Sequence, residues 1–378
     1  MLIPLLTTFF IFCSADDLVQ IQVVYRHGDR TPLQCFPTDP NLPVWNLEPK
    51  GEFTTIGMRQ HYNQGLKMKA RYIDLLKFLN STYKREEILV RSSMSPRCIQ
   101  SSASNLAGLY SGSKGTFPAN AGWPTNWTPI PIHSLEPPLQ HMLDPGKNCL
   151  RDDTLTTKRG ADNEAFVTYE FDHAEMIAEI ADLSGEGILD IQGLMHFYDC
   201  VRIEKEFRNM SLAKWVTPKL YNNLADLYWR TANYIYGGAD FGVGEDLELI
   251  RVRGGALLTE ILDRMMDAAA GKDATKMYAY SAHDTTLTSL FRTLGNKKEM
   301  VGDINPDYAA HYIFELWKSG VTYYIKTLYL ANETADFVTT TSNIRDCGGG
   351  DTCPFPTFNE RCKPYLVNHI QELCDKAI

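Results

Sequence analysis

A chain of 378 residues is long enough for one large domain, or for a core domain carrying an inserted lobe, and can bury a sizeable core. With 44% hydrophobic, 22% charged and 11% aromatic residues it lacks the low-hydropathy, high-charge signature of disorder. A net charge of -9 argues against a broad electrostatic footprint for nucleic acid or anionic membrane, so any anion handled here must meet local Arg or Lys.

Residues 1–15 (MLIPLLTTFFIFCSA) carry no charge, run apolar from Leu2 to Phe12 and end in small residues, the pattern of a secretory signal cleaved after Ala15. The run is shorter than the roughly 20 residues that span a bilayer, and no second run of spanning length follows, so no membrane anchor is expected. Leu18–Tyr25 is short and β-branched and stops at a Gly-containing polar stretch, which predicts a buried strand with a site at its C-terminal end. From Glu52 to Leu79 the apolar spacing predicts an amphipathic helix. Ile88–Val90 reads as a short strand ending at Arg91, and Ser95-Pro96 opens a helix to about Tyr110, Ser as cap and Pro in the first turn.

Between Gly115 and Pro145 two Pro-punctuated pieces, Trp127–His133 and Pro137–Leu143, predict a strand and a loop. From about Asp153 to Gly237 the spacing is helical. Leu247–Ala270 is again an amphipathic helix, Met277–Ala282 a strand and Thr285–Leu294 a helix, so His283 and Asp284 fall at a strand-to-helix junction. Strands Ala310–Trp317 and Val321–Tyr329 are joined by a Lys318-Ser319-Gly320 turn. This order predicts an α/β fold: a core of about residues 16–145 and 240–378 with a smaller helical lobe, about 146–239, inserted into it.

Removing the leader leaves eight cysteines, Cys35, Cys98, Cys149, Cys200, Cys347, Cys353, Cys362 and Cys374. An even set in a secreted chain suggests disulfides. The Gly-rich stretch from Cys347 to Cys353 easily brings that pair together; the other pairings stay open. No CxxC pair or HxxxH helix spacing supports zinc, and no metal or cofactor is expected. Sequons at Asn80, Asn126, Asn209 and Asn332 fit a secreted or lumenal glycoprotein.

The string that carries chemistry is Arg26-His27-Gly28-Asp29-Arg30-Thr31-Pro32, directly after the first strand. Two guanidiniums flank an imidazole, and Gly28 lets the backbone approach a bound group. Arg presents forked donors suited to phosphate oxygens, while the same cations disfavour a charged imidazole and leave it a lone pair for attack. A basic surface loop with an incidental His is the bland alternative. The second element is Ser281-Ala282-His283-Asp284-Thr285, where a carboxylic acid beside a phosphate site can protonate a departing alkoxide and later take a proton from water. Standing alone, it would read as a His next to a helix-capping Asp.

RHG, DRTP and the distant HD together resemble the histidine acid phosphatases, branch two of the histidine phosphatase superfamily, including prostatic, lysosomal and venom types. Gly51-Glu52-Phe53-Thr54, Gly57 with Gln60, and Arg71-Tyr72 extend the likeness. The resemblance implies a phosphoglycerate-mutase-like core with a central mixed sheet flanked by helices. It implies His27 as the nucleophile that becomes phosphohistidine, Arg26, Arg30 and Arg91 as the phosphate cradle, His283 as a hydrogen-bonding imidazole and Asp284 as the proton donor. Among three arginines Asp284 is expected to hold its proton only in acid medium.

The chain departs from the family where Met94-Ser95-Pro96 replaces an acidic stretch before Arg97, and where Tyr308-Ala309-Ala310-His311 lacks a cysteine. By family analogy Cys149 pairs with Cys374 and Cys347 with Cys353, and a homodimer is implied. The implied activity is metal-independent hydrolysis of small phosphate monoesters at acid pH. A secreted glycoprotein keeping the fold as a binding or antigenic surface, with weak catalysis, is the alternative.

Overall fold

The computed structural model describes residues 16–118, 122–124, 127–187 and 191–376; the leader 1–15 and the sequon residue Asn126 lie outside them. Strand β1 (Asp17–Arg26) is buried at every position from Gln20 to Arg26. Since alternate side chains point to opposite faces, both faces of this strand must be covered. Its two glutamines share a face and satisfy each other: Gln22 Nε2 donates to Gln20 Oε1 at 2.7 Å, and the Tyr280 hydroxyl donates to Gln22 Oε1 at 3.1 Å.

The remaining strands are β2 (Ile88–Ser92), β3 (His133–Ser134), β4 (Met277–Ala282), β5 (His311–Ser319), β6 (Thr322–Leu330), β7 (Val338–Thr339) and β8 (Cys353–Pro354). They form one sheet in the order β3-β2-β4-β1-β5-β6-β7, with β8 also on β6. β1 and β2 run parallel to β4 on its two sides, whereas β5 is antiparallel to β1, so the sheet is mixed as expected. Arg26 lies opposite Ala282 and Ser92 opposite Ser281, which sets the C-terminal ends of three parallel strands side by side.

Helices cover both faces. Short α1 (Leu42–Trp45) precedes α2 (Thr55–Met68), which with α3 (Pro96–Leu109) packs on Ile21, Val23 and Tyr25. Helices α4 (Leu150–Ala161), α5 (Glu164–Asp172), α6 (Ala174–Ser184), α7 (Ile191–Arg202) and α8 (Pro218–Ile235) follow. A separate buried cluster holds Ile180, Phe197, Leu224 and Trp229 from these helices together with Phe36 from the segment after β1. Cys149 and Leu155, by contrast, belong to the cluster on the second sheet face, with α9 (Leu247–Ala269) and α10 (Asp284–Leu294). Helices α11 (Lys297–Val301), α12 (Phe355–Cys362) and α13 (Ile370–Cys374) complete the chain. Disulfides join Cys35 to Cys200, Cys149 to Cys374 and Cys347 to Cys353, and Cys98 and Cys362 are buried thiols.

Three elements differ from expectation. The strand expected over Trp127–His133 survives only as β3, because Pro129 and Pro131 have no N–H to donate to a ladder; Pro137–Met142 coils into a 3-10 turn rather than a loop. The single helix expected over Glu52–Leu79 starts at Thr55, capped by the Thr54 hydroxyl, which accepts from Gly57 N–H at 3.2 Å, and passes into a π-helical turn at Lys69–Leu75. That turn aims Arg71 and Tyr72 at Glu315 of β5, a fully buried carboxylate that accepts from Arg71 Nε at 2.8 Å and the Tyr72 hydroxyl at 2.7 Å. Arg71→Met should therefore strand a buried charge and cost about 3 kcal/mol in urea unfolding. Adding Glu315→Gln should restore part of that loss; equal losses in the single and double variants would show that the charge is not its source.

Candidate active site

Backbone pairing carries the first loop one step past β1: His27 N–H donates to Ala282 O at 3.0 Å. Gly28 then presses against α2, where a Cβ would meet Gly57 O at 2.7 Å and Gly57 Cα at 2.8 Å. Its smallness thus serves helix packing. Asp29 faces away from the cleft. Its carboxylate receives Arg208 through both terminal nitrogens and the Thr54 hydroxyl at 2.5 Å, and its N–H donates to Gln60 Oε1 at 2.8 Å.

Beyond the strand ends opens a cleft of about 480 Å³, lined by His27, Arg26, Arg30, Arg97, His283 and Asp284 on one side and by Tyr198, Tyr228 and Trp229 on the other. His27 is 2% exposed. Its Nδ1 lies 2.8 Å from Gly28 O, an atom that can only accept, so Nδ1 holds the ring proton and Nε2 carries the lone pair. Burial, then Arg97, Arg26, His283 and Arg30 in turn, hold this imidazole well below its ordinary pKa. A neutral ring surrounded by cations can act as a nucleophile toward an anion.

Each guanidinium is anchored differently. Arg26 donates to Pro306 O at 2.7 Å, lies 3.4 Å from Asp284 Oδ2 and sits over the Tyr308 ring at 4.2 Å. Arg30 forks onto Asp199 at 3.0 and 2.9 Å, and burial and Arg30 leave that carboxylate, on balance, below its ordinary pKa. Arg97 reaches His283 Nδ1 at 3.5 Å. In all three the Nε atom is buried without a partner among the described residues.

At the second loop His283 caps α10 and Asp284 is the first helical residue. Arg97 donates to Nδ1 of His283, so Nε2 carries the proton and donates to Ser93 Oγ at 3.0 Å, with Asp144 Oδ2 at 3.7 Å. Burial pushes this imidazole down to about 4, opposed by Asp144 and Asp284 and reinforced by Arg97 and Arg26. For Asp284, burial alone would raise the pKa, but Arg26, His283 and Arg30 outweigh it and hold the carboxyl below its usual range. The Thr285 N–H at 2.9 Å and the helix N-terminus favour the same charged form.

The third arginine is corrected. Arg91, on β2, donates to Glu260 of α9 at 2.8 Å and is not among the residues lining the cleft, whereas Arg97 is. The strand's alternation turns Arg91 toward the helix-covered face, and Ser95-Pro96 starts α3 at the strand end, so the second residue of that helix returns to the site. Ser93, Asp144 and Asp199 were also missed. Arg97 had a local signal, a Pro-initiated helix beginning where a strand stops; Asp199 and Asp144, remote in sequence, had none. Two groups of metal-type donors occur among the described residues, His141-Cys149-Cys374 and Cys35-Asp39-Cys200-Glu204, but each contains disulfide sulfurs that offer no thiolate.

A sequence profile of the histidine phosphatase superfamily (branch 2) matches residues 17–330. A lysosomal acid phosphatase of Xenopus laevis is 30% identical over 377 residues, covering 99% of this chain and 82% of that protein. The prostatic acid phosphatase of Homo sapiens is 31% identical over 360 residues, covering 93% and 86%. Among solved structures, a Hafnia alvei phytase in complex with myo-inositol hexakis sulphate has a TM-score of 0.65 at 14% identity, covering 95% of this chain and 99% of that one. A Citrobacter braakii phytase gives 0.64 at 14%, with 93% and 98% covered. At such identities the phytases speak for the fold alone.

Arg97→Ala should weaken binding of inorganic phosphate by about 100-fold, the scale of a lost charge-assisted contact. Arg91→Ala should change it by less than about threefold, because Glu260 keeps Arg264 at 3.0 Å. Titration calorimetry decides, and the reverse ranking would return the cradle to Arg91.

Proposed function

The chain belongs to the histidine phosphatase superfamily, branch 2, and we propose that it is an acid phosphatase hydrolysing small phosphate monoesters through a phosphohistidine on His27. The observation that carries this reading is the convergence of three buried, part-unpartnered guanidiniums on an imidazole whose Nδ1 proton is fixed. Arg26, Arg30 and Arg97 hold the non-bridging oxygens while Nε2 of His27 attacks phosphorus in line, forming the P–N bond as the ester P–O bond breaks. Asp284 gives its proton to the departing alkoxide. Water then attacks phosphorus, Asp284 takes the water's proton, the P–N bond breaks and Nε2 regains its lone pair. His283, held by Ser93 and Arg97, is the second imidazole facing the phosphoryl group. No step calls for a metal.

The sign of the pH dependence follows from Asp284. Its pKa lies below the ordinary value, so the acid form is present at low pH and is lost as pH rises through that depressed value. A bound phosphate anion among the same arginines raises it again, which favours turnover in acid.

In this reading the cleft lies between an α/β core, about residues 16–145 and 240–378, and a helical lobe, about 146–239. The leader-like 1–15, the three disulfides and the sequons support a secreted or lumenal glycoprotein. Asn80 and Asn209 are exposed, whereas Asn332 spends its Oδ1 on Thr334 and Ala335. Among the described residues no helix is long and apolar enough to cross a membrane. A homodimer rests on family likeness.

Hydrolysis of p-nitrophenyl phosphate should peak in acid, survive excess chelator and vanish in folded His27→Ala. Asp284→Ala should lose about 100-fold or more on an alkyl phosphate and much less on the nitrophenyl ester, whose leaving group needs no proton. Equal losses on both substrates would remove Asp284 as the acid, and an inactive folded wild type would sink the enzyme reading.

A further inference from the structure

Helix α10 does more than present His283 and Asp284. Thr285, Thr288, Ser289 and Arg292, spaced i, i+3, i+4 and i+7, fall on one helix face and line a narrow alcove. Its volume is about 10 Å³, room for one small ion or one water. Tyr236, Thr285 and Asn305 belong both to its wall and to the wall of the catalytic cleft, so the two spaces adjoin.

The charge around this alcove does not balance. Arg292 is 6% exposed and Lys297 7% exposed, and both donate to one oxygen, Asn233 Oδ1, at 3.0 and 2.7 Å. Among the described residues neither has a carboxylate within ion-pair distance, 4.0 Å. The acidic side chain that acts most strongly on Arg292, Glu245, is engaged by Arg345 at 3.2 Å. Burial and then Arg292 push the Lys297 ammonium down to about 7. Arg292 and Arg253 both line the alcove; each holds a buried Nε without a partner among the described residues, and Arg253 is otherwise committed to Asp152 at 2.7 Å. Asn305 Oδ1 accepts the Thr288 hydroxyl at 3.0 Å, which leaves the Asn305 amide N–H groups as donors. Uncompensated cations and unpartnered donors around a polar void are costly unless something negative fills it.

We propose that this alcove binds one small monovalent anion of the chloride class, held by Arg292, Arg253 and Asn305, which offsets one of the two positive charges of the Arg292–Lys297 pair behind the catalytic helix. The volume is too small for a phosphate, so the site is separate from the substrate cradle. The proposal is independent of the phosphatase reading.

The test uses wild-type protein exchanged into sodium gluconate and titrated with sodium chloride or bromide at constant ionic strength. Thermal unfolding should show a saturable rise in Tm of about 2 °C with either halide. Arg292→Gln should abolish the halide dependence, and Lys297→Met, which leaves the lining intact, should weaken the apparent affinity several-fold. A bromide-soaked wild-type crystal should show an anomalous peak between Arg292 and Arg253, which settles the matter even if a variant fails to fold. A flat wild-type Tm, an alcove without bromide, or a halide effect unchanged in both variants would overturn the proposal.

Discussion

Everything at the cleft depends on the parallel pairing of β1 with β4. The two strands are remote in sequence, yet their register puts Arg26 opposite Ala282, and the next backbone bond joins His27 to the same residue. A slip of one residue would turn every side chain of β1 to the other face and part His27 from Asp284. Burial of β1 on both faces makes such a slip expensive, so the core enforces the site. β2, on the far side of β4, extends the same logic to Ser93 and Arg97.

The cost of that arrangement is electrostatic. Three guanidiniums converge on one cleft, and among the described residues only Asp199 and Asp284 stand at ion-pair distance from them. Asp199 is saturated by Arg30 and the Leu33 N–H, and so serves to hold a cation in place. Among the described residues Asp284 has Arg26 alone at ion-pair distance, which suits the proton transfer proposed for it. Two carboxylates of the same chemical type thereby have different work because one is locked by its partner and the other is not. A neutral His27 is the remaining concession: charging it would add a fourth cation.

Legibility in the sequence followed locality. β4, α9 and α10 are visible within a residue or two, since each is a compact periodic run with a clear start or stop. His27, Arg26, Arg30, His283 and Asp284 come together in one cleft, as their positions beside strand ends predict. Arg91 was misjudged because a strand's period of two decides which face a residue takes, and the neighbouring motif obscured that. Asp199 and Asp144 could not be found, since which remote carboxylate meets a given Arg depends on how helices fold over the sheet. The π turn at Lys69–Leu75 is similar: its Arg71 and Tyr72 meet Glu315 on the remote β5, and nothing in the run itself announces the turn.

The first loop is tied to one short stretch of the helical region three times in succession. Asp29 meets Arg208, Arg30 meets Asp199, and Cys35 is bonded to Cys200. Mechanically, this is a jaw whose hinge has been welded. The part of the opposite wall carried by residues 198 to 207 cannot swing away from the guanidiniums as a rigid body without breaking two ion pairs and a covalent link. On the proposed reading, entry of an ester and escape of its alcohol would then depend on rotation of individual side chains at the rim, and the breadth of that rim, rather than an opening motion, would limit how bulky an ester reaches His27.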